Sequence, residues 1–151
     1  MKHRIVVMLA FLIIGTFALP MGTTHVSAHP GARSVPLCDG DQCNGLPVEK
    51  ACSSDAYLVR FGRIGTNKGV IVGELSIWWS RSCDSYYAQL KSVGGARLMA
   101  LEIQLSPFDY QSGSRYADSI SSLMVAKDDN TVNVTGTVYD NADSYALGLS
   151  Y

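Results

Sequence analysis

The stretch GELSIWWSRSCDSYYAQL, Gly73 to Leu90, carries both tryptophans of the chain, Trp78 and Trp79, followed by Cys83 and the pair Tyr86 and Tyr87. Successive side chains on a strand point to opposite faces, so two adjacent tryptophans in extended backbone cannot enter the same core. Counting by two puts Ile71, Gly73, Leu75, Ile77 and Trp79 on one face, and Val72, Glu74, Ser76, Trp78 and Ser80 on the other. The first face is apolar and the second is mostly polar. Trp79 therefore belongs to a core and Trp78 faces away from it.

Working outward, the same alternation recurs between turn signals. DAYLVRFGRIG (55–65) and GVIVGELSIWWS (69–80) flank TNKG, a hairpin turn with Asn and Gly where positive φ is needed. SCDSYYAQLKSVGG (82–95) breaks the alternation and reads as a helical turn before Gly94 and Gly95. ARLMALEIQLS (96–106) is a long strand, and SPFDYQSGSRYADS (106–119) is the longest interior loop. ISSLMVAK, TVNVTGTVY and SYALGLSY then read as a three-stranded meander. Six strands with at most one short helix predict an all-β fold, a small antiparallel barrel or sandwich. Residues 29–51 are rich in Gly, Pro and Asp without any period, and read as an irregular arm ahead of a single β domain over 52–151.

The first 28 residues have a different character. Lys2 and Arg4 precede an uncharged apolar run from Ile5 to Leu19, Pro20 ends it, and Val26-Ser27-Ala28 supplies small residues for cleavage. That is the layout of a secretory signal peptide. The run is shorter than the ~20 residues a spanning helix needs, so no stable membrane anchor is expected after cleavage. Cleavage removes two cations and none of the 13 acidic residues, leaving a chain more acidic than the whole-chain net charge of −1. With no basic run remaining, nucleic acid is excluded as a partner. Export also sets the redox state. Cys38, Cys43, Cys52 and Cys83 allow three pairings, and Cys38–Cys43 with Cys52–Cys83 is favoured. The first closes the tight loop CDGDQC, and the second ties the start of the core to the end of the tryptophan strand. Zinc is the rival use of four cysteines, but the spacing lacks paired C-x-x-C knuckles.

These segments, CDGDQCNGLP, ACSSDA, the strand ending WSRSC, the YA after it and SSLMVAK, occur in an order that resembles a family of small exported bacterial proteins. It is the domain-of-unknown-function family 2690, which includes the YjfA-like proteins. The resemblance runs from Cys38 to about Val125, and the cysteine framework is its most specific part. Ser76, Trp78 and Tyr87 stand where the family pattern has Glu, Arg and Trp. The resemblance implies export, disulfides and a compact β fold. It implies no activity.

Little in the residues supports catalysis. After cleavage His29 is the only histidine, so a nucleophilic triad or a copper site would lack its imidazoles. No metal or cofactor is expected. Paired carboxylates remain as the alternative, a small secreted hydrolase built on Glu74, Glu102 or Asp109. The aromatics are the more promising feature. Trp78, Tyr86, Tyr87, Phe108, Tyr110 and Tyr116 are the candidate binding residues, a stacking platform for an envelope glycan or a partner protein. The competing arrangement has the disulfide-clipped arm folded across Trp78, or Trp78 packed on a cross-strand neighbour.

Overall fold

The computed structural model describes residues 36–151 apart from 49, 106–107, 112–113 and 129. The leader and His29 lie outside the described residues. In chain order the elements are a 3-10 turn at Gly40–Cys43, a short helix α1 (Lys50–Ser54), and strands β1 (Tyr57–Gly65), β2 (Ile71–Ser80), β3 (Ser85–Ser92), β4 (Arg97–Leu105), β5 (Phe108–Gln111), β6 (Arg115–Ala117), β7 (Ser119–Ser121), β8 (Val125–Ala126), β9 (Asn133–Asp140) and β10 (Asp143–Ser150). Two five-stranded antiparallel sheets result. One runs β1-β2-β3-β7 with β8 also on β3, and the other runs β10-β9-β4-β5 with β6 also on β4. The architecture is a sandwich, not a closed barrel.

From Gly73 onward the tryptophan strand keeps the predicted alternation. At its start the expectation fails, because the pairing with β1 shifts register between Ile64 and Gly65, leaving Ile71 exposed and sending Val72 into the main core. Leu75 and Ile77 are fully buried between the sheets and Trp79 packs at the margin of the same core, while Trp78 points the other way. From the facing sheet come Met99, Leu101, Ile103, Val134 and Val138. Gly136 sits opposite Leu75 and Leu90, and a Cβ there would lie 2.9 Å from Leu75 Cδ1. Its missing side chain lets the sheets close on the two leucines. The TNKG turn forms as read, except that only Gly69 takes positive φ, at +78°. The Thr66 hydroxyl accepts the Lys68 and Val70 N–H groups in place of a second left-handed residue.

Three further expectations fail. The segment 82–95 holds no helical turn; it supplies β3, the strand paired to β2 from Gly73↔Ser92 to Ser80↔Ser85. The long loop contains β5 and β6, both paired to β4. The C-terminal meander is only a hairpin, β9 with β10, because β9 pairs with β4 while β7 and β8 join the other sheet on β3.

The reason β3 escaped its period is burial on both faces. Tyr86, Ala88 and Leu90 enter the sandwich, and Tyr87 enters a second, smaller core with Cys38, Cys43, Cys52, Cys83 and Met124. The arm builds that second core. The disulfides are Cys38–Cys43 and Cys52–Cys83, the favoured pairing. Gly40 N–H donates to the Cys83 carbonyl at 2.9 Å, Gly45 N–H to Met124 at 3.0 Å, and Asn44 Oδ1 accepts the Ala126 N–H at 2.7 Å. Asp55 fixes the end of β2, its carboxylate accepting from Ser80 Oγ, Ser82 Oγ and Ser82 N–H at 3.0, 3.1 and 2.8 Å.

Candidate functional site

The six aromatics singled out in the sequence do not form one surface. Trp78 is half-buried beneath the arm; it stacks on Tyr87 with ring centroids 6.4 Å apart and planes 10° from parallel, and its Nε1 donates to Ser76 Oγ at 2.9 Å. Tyr87 is only 7% exposed. Tyr86 lies on the other face of the same strand, inside the main core, and Tyr110 packs against that core from β5. Tyr116 is 75% exposed on β6, in the opposite sheet. The Phe108 backbone pairs with Leu105, and its side chain lies outside the described residues. Trp78 thus has both fates that compete with a platform, a covering arm and a stacked neighbour.

A different aromatic group assembles at one end of the sandwich. Tyr57, Trp79 and Tyr86 are cross-strand neighbours in β1, β2 and β3. The Tyr57 ring meets Trp79 edge-on at 5.1 Å, and Tyr151, arriving from the end of β10, meets Tyr86 edge-on at 5.8 Å. These are the favoured geometries for aromatic pairs, in which a positive ring edge meets a negative face. Tyr151 is positioned by two backbone hydrogen bonds with Val132, each 2.9 Å. Lys127 Nζ stands 5.4 Å from the Trp79 ring centroid, within cation–π range. Arg60 Nε donates to the Ser150 carbonyl at 3.3 Å and brings a second cation to this end. Trp79 and Tyr86 are the covered members, whereas Tyr57 and Tyr151 are 48% and 52% exposed. The buried Trp79 Nε1 has no hydrogen-bond partner among the described residues.

Burial pushes the Tyr86 hydroxyl above its ordinary range, and Tyr151, Tyr57 and Asp84 nearby add to the effect. Tyr87 is raised by burial and then by Asp55. A raised tyrosine holds its proton in the fold more tightly than in the unfolded chain, where it titrates near 10. Its contribution to stability is complete below about pH 10 and is lost as pH climbs through the window above. The urea midpoint should therefore fall between pH 9 and pH 11, and fall less in Tyr86→Phe. Equal falls in the two proteins would remove Tyr86 from the account.

Sequence reasoning missed Tyr57 and Tyr151 because each sits at a strand end whose neighbours depend on pairing. The signal available was that both strands end in tyrosine near a predicted sheet margin. The carboxylates proposed for hydrolysis do not face one another. Glu74 lies on the outer face of the first sheet, 3.7 Å from Arg63 Nε. Glu102 lies on the outer face of the second sheet, across from Thr135. The core stands between them. The Asp109 side chain lies outside the described residues. All four cysteine sulfurs are taken up in disulfides, so none is free as a metal-binding thiolate. Among the described residues no helix is long and apolar enough to cross a membrane. Compared with family models, with curated proteins and with solved structures, the chain finds no match.

Proposed function

We propose that the chain is an exported, non-enzymatic binding module that takes an envelope glycan at the aromatic end of the sandwich. One observation carries this reading: Tyr57 and Tyr151, half-exposed, stand over the covered rings of Trp79 and Tyr86. Rings held edge-on by a packed neighbour keep their orientation, which lowers the ordering cost of stacking a sugar on them. Lys127 and Arg60 supply donors beside the rings. Two disulfides in a domain of this size fit an oxidising compartment, and the leader-like first 28 residues fit export. The resemblance to family 2690 implies the same export and disulfides, and no activity.

Co-sedimentation with insoluble peptidoglycan tests the proposal. The whole protein should pellet with the glycan. Removing both stacking faces in Tyr57→Ala/Tyr151→Ala should weaken binding roughly tenfold to a hundredfold, at about 1 kcal/mol per aromatic contact. The variant's melting temperature shows whether the fold survives. Unchanged binding by a folded double variant would falsify the assignment of the site.

A further inference from the structure

The second core holds a feature that glycan binding does not use: its two disulfides meet. The sulfurs of Cys38, Cys43 and Cys83 all lie within 4.8 Å of one another. Cys43 Sγ is also 3.4 Å from the Cys83 carbonyl oxygen, and the turn that carries it is already seated there by the Gly40 N–H bond to the same carbonyl. Cys38 is 3% exposed and the other three half-cystines are fully buried. Exchange between thiols and disulfides proceeds by thiolate attack on a disulfide sulfur, and holding the two together replaces a bimolecular encounter. A thiolate freed at Cys43 is held beside such a sulfur.

We propose that Cys38–Cys43 and Cys52–Cys83 form one thiol–disulfide exchange unit, in which opening the first bond transfers the second from Cys52 to Cys43. The entry step uses a dithiol reductant. Its thiolate attacks Cys38 Sγ, forming a mixed disulfide and releasing Cys43 as thiolate. Its second thiol resolves the mixed disulfide, and the reductant departs as its own disulfide with two electrons and two protons passed to Cys38 and Cys43. The Cys43 thiolate then attacks Cys83 Sγ. The Cys43–Cys83 bond forms, the Cys52–Cys83 bond breaks, and Cys52 leaves as a thiolate that takes up the proton Cys43 gave up. This second step is redox-neutral. Its product ties the 3-10 turn to the end of β2 and presents a thiol on α1.

The test is C38S in the full chain, which leaves a thiol at Cys43 beside an intact Cys52–Cys83 bond and needs no reductant. Free thiols are blocked with N-ethylmaleimide and the protein is digested with trypsin without reduction. Cuts after Lys50, Arg60, Arg81 and Lys91 place Cys43, Cys52 and Cys83 on separate peptides. The expected result is a Cys43–Cys83 peptide pair with the label on Cys52, in at least about a tenth of the molecules, a population that exchange equilibria between similar bonds readily reach. Label confined to Cys43 with Cys52–Cys83 intact would overturn the proposal. If C38S does not accumulate, wild-type protein treated with less than one equivalent of dithiothreitol gives the same readout: single-bond species should include Cys43–Cys83, and their restriction to Cys52–Cys83 overturns it. C38S/C43S, without an attacking sulfur, should keep Cys52 unlabelled; label there would show that the bond opens without Cys43.

Discussion

Trp79→Ala should destabilise the domain by roughly 3–5 kcal/mol, the range for removing a large aromatic from a packed site. The side chain packs against the main core and touches Tyr57 edge-on, with the Lys127 ammonium over its face. Its loss strips Tyr86 of its cross-strand neighbour and leaves a gap at the end of the sandwich. A domain has only ~5–15 kcal/mol to lose, so much of the stability goes with this one ring. The melting temperature should drop by roughly 10 °C or more. Trp78→Ala should cost less, because Trp78 meets a smaller core and its main partner is one stacked ring, Tyr87. It should not be silent, since the arm covers it. Thermal melts of the two variants decide the matter. Should Trp78→Ala melt at or below Trp79→Ala, the arm's core would be the more important of the two.

The contrast between the tryptophans also marks what the sequence can and cannot tell. The register of β2 is legible because Leu75 and Ile77 share a face with Trp79 while Glu74 and Ser76 share the other. The period survives because the outer face keeps polar side chains even where it is covered: Ser76 and Ser80 are buried, their hydroxyls donating to the Gln89 carbonyl and to Asp55. It vanishes in β3, where Tyr87 is buried by the arm and Tyr86 by the facing sheet, so the segment lost its strand signature for a tertiary reason. The strands β5, β6, β7 and β8 are two to four residues long, too short for any period to register. The aromatic site failed for a related reason. Trp78 faces away from the main core as the alternation required, but facing away is not exposure when a 3-10 turn and a short helix fold over the sheet. Tyr151 could not be placed beside Tyr86 without knowing that β10 ends across the sandwich from the start of β3. The disulfides, by contrast, are the pairing favoured among the three that four cysteines allow: a short loop closes on itself, and the long link spans α1 to the end of β2.

Removing the longer link should separate the two cores. Cys52–Cys83 joins residues 31 positions apart, and the chain-entropy model values such a closure at roughly 3–4 kcal/mol, against about 2 for the five-residue separation of Cys38–Cys43. Cys52→Ala/Cys83→Ala takes that constraint away and leaves a cavity where two fully buried sulfurs stood. The main core lies on the other side of the β2–β3 sheet and loses none of its own side chains. The loss should therefore show first in the arm. In a Trp79→Phe background, which leaves Trp78 as the single tryptophan, the double alanine variant should emit at longer wavelength than its parent before the global transition begins, as water reaches the Trp78–Tyr87 stack. The global urea midpoint should fall as well, because the arm's packing on Tyr87 and Met124 contributes to the whole. Unshifted Trp78 emission together with a melting temperature within a degree or two of the parent would mean the bond is dispensable to the arm. The hydrogen bonds from Gly40, Gly45 and Met124 would then be what seats it.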